Sequence, residues 1–200
     1  MKLADANAME QPSAMCLDAE GDLRLEVGEG EGKRSFVICS RALARVSKPF
    51  NAMLYGPFAE SYSRKVAPDW TVALPEDDPE AFAIILQIVH SNFKMVPPTV
   101  SRDELYQITI WTDKYDMTEI LQPWAQKWVD GLEEAGDLHT GEGELLWICW
   151  ELGLQRKFVD VSQKALDSCY LDEESRLCGP HIERMQDNVH IVSLGILGHA

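Results

Sequence analysis

Between Asp22 and Phe58 the chain carries three consecutive signals that leave few folds open: an alternating hairpin, a serine-led helix, and a serine-proline start to another helix. Leu23, Leu25 and Val27 alternate with Asp22, Arg24 and Glu26, the period of a strand with one buried and one wet face. The glycine-rich stretch from Gly28 to Gly32 supplies permissive backbone for a tight turn, and Phe36 and Ile38 resume the alternation on the returning strand. Ser40 is placed to cap the next segment, with Leu43 and Ala44 on its inner face. Ser47 and Pro49 open a second short helix carrying Phe50, Met53 and Leu54. These are scaffold signals without visible chemistry.

Trp70, Val72 and Leu74 alternate again and predict a third strand ending at Pro75. A strong helix start follows. Asp78 can cap, Pro79 fits the first helical position, and Glu80 suits the positive end of the dipole. Phe82, Ile85, Leu86 and Val89 then form one apolar stripe, which stops near His90 to Asn92. Pro97 and Pro98 mark an extended connection, and Ser101 with Glu104 has the spacing of a capping box ahead of Leu105, Ile108, Trp111 and Tyr115. Asp113 to Asp116 closes that helix. Ile120, Leu121, Trp124 and Trp128 predict another, with Pro123 requiring a late start or a kink.

The two ends are less regular. Met1 to Glu20 has no sustained period and reads as a mobile arm with a short turn near Met15 to Leu17. Gly131 to Gly143 is acidic and glycine-rich, the best candidate for a boundary. Beyond it, Leu145 to Leu154 and Phe158 to Cys169 predict a helical pair whose first member is apolar nearly all round, and therefore buried between layers or against a partner. Leu171 to Ala200 begins polar and ends in an apolar stretch, Val189 to Leu197, where Gly195 and Gly198 weaken a helix. The expected organisation is an arm over 1–20, a domain over 21–130, a linker over 131–143 and a helical extension over 144–200.

Composition narrows the function. A chain of 200 residues with 46% apolar and 26% charged residues can bury a substantial core. Its net charge of -15 repels phosphates and anionic membranes, which argues against direct nucleic-acid binding and favours partners with basic patches. Five cysteines without C-x-x-C spacing suit a reducing compartment. No apolar run is long enough for a signal peptide or a membrane span, so the chain reads as intracellular, in cytoplasm or nucleus.

Each constellation that might carry chemistry has a simpler reading. Gly28-Glu29-Gly30-Glu31-Gly32 precedes a strand and not a helix, and its glutamates repel phosphate, so it is a hairpin loop. Cys178 and His181, with Cys169 near, fall short of the four ligands of a structural zinc site. His90, at a helix end, is better placed as a partner for the C-terminal dipole than as a catalyst. G-x-S-x-G and H-E-x-x-H are absent, and the acidic pairs Glu133-Glu134 and Glu142/Glu144 sit in a polar break. Trp111, Trp124, Trp128, Trp147 and Trp150 lack the interleaved arginine and lysine of a base-stacking site, though Trp147 or Trp150 can project from an all-apolar helix and anchor a partner. The expectation is a non-enzyme without cofactor or metal.

The order of hairpin, two short helices, third strand and run of helices resembles the BTB/POZ domain. Phe36, Ser40, Leu43, Ala44, Ser47, Pro49, Phe50 and Met53 are similar to that family's strand-to-helix signature. Leu74-Pro75-Glu76-Asp77-Asp78-Pro79-Glu80-Ala81-Phe82 is similar to the segment before its third helix in fungal members, and Thr112-Asp113-Lys114-Tyr115-Asp116-Met117 to its alanine-aspartate-lysine-tyrosine turn. Together these span Asp22 to Val129. Cys39-Ser40 stands where many animal members carry a histidine, and Met1 to Glu20 lacks the amphipathic arm of their swapped dimers. The resemblance implies an α+β fold, a small sheet covered by helices with a C-terminal helical extension. It implies a protein-protein interaction module: a substrate adaptor joining a target to a cullin-type ubiquitin ligase, or a scaffold that makes homo- or hetero-oligomers. Phe58-Ala59-Glu60 looks like the family's hydrophobic-x-glutamate cullin motif, and Met53, Tyr55, Phe58 and Glu60 would form the cullin-facing surface. The alternative for Phe58 is that it folds back onto Met53 and Leu54.

Overall fold

The computed structural model describes residues 14–61, 69–135, 142–168, 170–171 and 177–178. Cys169 and His181 of the incomplete zinc set and the apolar stretch Val189 to Leu197 lie outside them, as does the side chain of Cys178. The fold is mixed, a small four-stranded sheet followed by helices, in agreement with an α+β class. The chain divides after Phe93 into two compact units.

In the first unit, β1 (Met15–Cys16), β2 (Leu23–Val27), β3 (Arg34–Ile38) and β4 (Thr71–Leu74) lie in the order β1-β3-β2-β4. The hairpin β2-β3 is antiparallel, and Leu25 stands opposite Phe36 on one side and Val72 of parallel β4 on the other. This register puts Leu23, Leu25, Val27, Phe36, Ile38, Val72 and Leu74 on one buried face. The turn between β2 and β3 is wider than expected. It includes a 3₁₀ turn over Gly30–Gly32, and Gly28 and Gly30 take positive φ of 81° and 60°. β1 is a further correction, because the expected mobile arm ends in a strand parallel to β3. Two residues are too few to display a period of two.

Among the described residues this unit carries α1 (Ser40–Val46), α2 (Lys48–Tyr55) and α3 (Pro79–Val89), and residues 59–61 are helical as well. Ser47 caps α2 by accepting the Phe50 N–H at 3.1 Å, and Asp78 caps α3 through Ala81 N–H at 2.8 Å, as their spacing predicts. Ser40 does not cap α1. It lies inside the helix behind Cys39, and the Asp22 carboxylate accepts both its N–H (2.8 Å) and its O–H (2.7 Å). The cap is thus delivered from the residue just before β2. His90 fastens the other side: its Nδ1–H donates to Leu86 O at 2.9 Å, in line with the expected helix-end role, and its Nε2 accepts the Cys39 N–H at 3.1 Å. Phe82 of α3 sits between Phe36 and Phe50, with ring centroids 6.5 and 6.2 Å away, and all three are fully buried. Each such ring contributes roughly 1.5–3 kcal/mol through removal from water.

The second unit contains α4 (Arg102–Lys114), α5 (Gln122–Glu134), α6 (Glu142–Glu151) and α7 (Gln155–Ser168). A short pair, β5 (Tyr170–Leu171) and β6 (Leu177–Cys178), follows them. Ser101 and Glu104 form the full capping box of α4. Pro123 gives the late start: Ile120 and Leu121 belong to a preceding 3₁₀ turn, and α5 begins at Gln122. That helix continues through Gly131 to Glu134, past the point where the acidic break was expected to begin. Trp128 is fully buried and donates its indole N–H to Pro97 O at 3.0 Å. α6 buries Leu145, Leu146, Ile148 and Cys149 between α4 and α7, as an all-round apolar helix must. No helix among the described residues is long and apolar enough to cross a membrane.

Candidate protein-binding site

Past α2 the chain must turn back towards β4, and four polar groups fix how it does so. Gly56 N–H donates to Ala52 O at 2.7 Å and ends the helix. A Cβ at Gly56 would stand 2.3 Å from that same oxygen, so only glycine fits the turn. The one O–H of Ser61 is then shared between Gly56 O (2.6 Å) and Phe58 O (2.8 Å), and its N–H donates to Phe58 O (3.1 Å). The Trp70 indole N–H donates to Glu60 O at 2.8 Å. Ser61 and Trp70 are buried, at 9% and 5% exposure, so these bonds are shielded from competing water.

The consequence falls on Phe58. It is 52% exposed and carried on backbone held from both ends, so it does not fold back into the core. An apolar ring left half in water forgoes roughly half of the 1.5–3 kcal/mol that full burial would contribute. Met53, Tyr55 and Glu60 are each half-buried. Tyr55 faces inward: its hydroxyl is 2.5 Å from Ser40 Oγ, and its ring meets the Trp70 ring edge-on at 6.1 Å. Tyr55 and Trp70 therefore brace the loop from beneath, with Glu60 tied in through its carbonyl.

The two tryptophans named as anchors lie in the second unit and differ from each other. Trp147 is buried at 9% exposure, whereas Trp150 is 56% exposed and packs against Phe158 with centroids 5.9 Å apart. Beside Trp150 a hollow of about 360 Å³ is lined by Cys149, Gly153, Gln155, Phe158 and Val159. Val159 and Leu166 are also exposed, one face of α7 apart by two helical turns.

Titratable groups in the second unit have structural causes for their shifts. Burial pushes the Cys149 thiol up to about 11, which keeps it protonated at neutral pH. Burial raises Tyr106, and the Glu144 carboxylate adds to this. Burial also raises Glu151, opposed by the Thr118 hydroxyl that donates to it. Among the described residues no group of three or more His, Cys, Asp and Glu side chains is placed to hold a metal ion.

Of the residues that support the Phe58 loop, Gly56 and Ser61 carry no part of the sequence reading, and Trp70 enters it only as the start of a strand. Only Gly56, directly after an apolar helix, carries a recognisable stop signal. Comparison of the chain with protein-family models and with curated proteins gave no match.

Proposed function

We propose that this protein is a protein-protein interaction module of the BTB/POZ kind, acting as a substrate adaptor for a cullin-type ubiquitin ligase. The observation that carries this reading is Phe58, a half-exposed aromatic on a loop braced by Ser61 and Trp70. A pre-set apolar anchor loses little conformational entropy on binding, which is the property of a hot spot. The arrangement around it agrees: an antiparallel hairpin, two short helices, a strand parallel to β2 and then α3. Glu60 follows at the spacing of the hydrophobic-x-glutamate motif.

The test is titration of the chain with the N-terminal region of a cullin from the same source. Phe58→Ala is expected to cost on the order of 2 kcal/mol of affinity while leaving the fold intact, as truncation of a buried anchor does. Glu60→Ala should weaken the same complex. Unchanged affinity in both variants rejects the adaptor reading.

A second reading rests on Trp150. An exposed tryptophan beside an apolar hollow supports a scaffold that joins protein partners, or copies of itself, through its C-terminal helices without a ligase. Loss of partner capture in Trp150→Ala, with Phe58→Ala silent, would favour it.

A further inference from the structure

The chain is strongly acidic, yet one stretch is not. Between Gly32 and Ala59 lie five of the 18 lysine and arginine residues and none of the 33 aspartate and glutamate residues. Two of these cations are satisfied within the fold: Lys33 pairs with Glu26 at 2.6 Å, and Arg34 with Glu80. Arg41 and Arg45 are different. Both are exposed on α1, and four residues apart they share one face of the helix.

The Arg41 guanidinium carbon lies 4.1 Å from the centre of the Tyr55 ring. That ring is itself fixed, by its hydroxyl on Ser40 and by the edge of Trp70. Stacking uses the flat face of a guanidinium and leaves its in-plane N–H fork available for a planar acceptor. The nearby Asp22 carboxylate accepts from Ser40 on both oxygens. Among the described residues neither Arg41 nor Arg45 has a carboxylate partner. Lys48, exposed at the start of α2, adds a third positive charge.

We infer that this α1 face receives carboxylate side chains from an acidic segment of the protein partner, with Arg41 making the oriented, bidentate contact and Arg45 the second. A bidentate arginine-carboxylate pair adds geometry as well as attraction. The inference rests on the reading of the first unit as a protein-binding module, but not on the partner being a cullin.

The test uses a fluorescein-labelled peptide alternating glutamate and serine around one phenylalanine, with a glutamine counterpart and a phosphoserine counterpart, followed by anisotropy. On a chain of net charge -15, general electrostatics disfavour the glutamate peptide, so preference for it has to come from a local site. The glutamate peptide is expected to bind about tenfold tighter than the glutamine one at low ionic strength, with the gap closing as salt rises. The double variant Arg41→Gln/Arg45→Gln should remove the preference, and Arg41→Lys should retain only part of it. Thermal melts of the variants check that these exposed substitutions keep the fold. Equal binding of the glutamate and glutamine peptides, a preference surviving the double variant, or selection of phosphoserine over glutamate overturns the inference. A cullin that fails to bind while the glutamate preference holds rejects the ligase reading and leaves this one intact.

Discussion

Phe58 in the first unit and Trp150 in the second are equally wet, at 52% and 56% exposure, but they are held in different ways. Phe58 stands on a bend directly before the helical residues 59–61, and hydrogen bonds from Ser61 and the Trp70 indole fix the backbone around it. Trp150 stands near the end of α6, where the helix supplies the backbone geometry and Phe158 a neighbouring ring. A helix exposes some apolar surface as a by-product of being apolar all round. A loop exposes a phenylalanine only where its own hydrogen bonds prevent collapse. The difference marks Phe58 as the more specific signal, and it can be broken experimentally.

The largest effects should come from the residues behind each surface. Phe82→Ala removes a fully buried ring between Phe36 and Phe50 and is expected to cost about 3–5 kcal/mol, measured by denaturant unfolding. Phe58→Ala should cost the fold less than about 0.5 kcal/mol in the same assay, because the ring already faces water. A large loss from Phe58→Ala would mean that the ring belongs to the core. Next comes Gly56→Ala. Its Cβ would meet backbone at Ala52 O, so the turn must shift, at a cost of roughly 1–3 kcal/mol. It should also weaken partner binding to a degree its modest destabilisation does not explain. No comparable position exists beneath Trp150 among the described residues, where Gly153 has open space around its Cβ direction.

The same contrast explains what could be seen in the sequence. The caps at Ser47, Asp78 and Ser101 are local bonds reaching three residues forward, so spacing displays them. The cap of α1 is hidden from spacing because its acceptor, Asp22, lies 18 residues upstream, just before β2. β1 is not legible in the sequence because a two-residue strand has no period, and because its partner β3 is distant in sequence. The burial of α6 was legible from composition alone, whereas the separate fates of Trp147 and Trp150 were not, since an all-round apolar helix does not say which side meets water. Phe58 is open in the sequence between core and surface, because a single apolar residue after a helix has no period to place it. The backbone beside it is held in part by Trp70, ten residues beyond Glu60.

His90→Ala tests the fastening of α1 with a smaller expected effect. It removes the acceptor of the Cys39 N–H, and a part-buried donor left without a partner costs about 1–2 kcal/mol. The loss should appear in thermal unfolding. An unchanged melting temperature would show that water replaces the ring nitrogen at that amide.

The smallest effect belongs to the second unit and concerns pH. Burial raises the Glu151 carboxyl above its ordinary value, the Thr118 hydroxyl lowers it by donating, and the Asp113 charge raises it further. A carboxyl raised on folding is more easily protonated in the folded chain than in the unfolded one. Its favourable contribution is therefore complete below the unfolded value and is lost as pH rises through the folded value. Glu151→Gln keeps an acceptor for Thr118 and cannot ionise, so it should melt at or slightly above the wild-type temperature at neutral pH. Relative to that variant, wild type should lose stability as pH climbs from the ordinary carboxyl range towards neutrality. If the two melting curves instead stay parallel across that range, Glu151 ionises in the folded chain as freely as in the unfolded one, and the helix end that presents Trp150 is wetter than its packing implies.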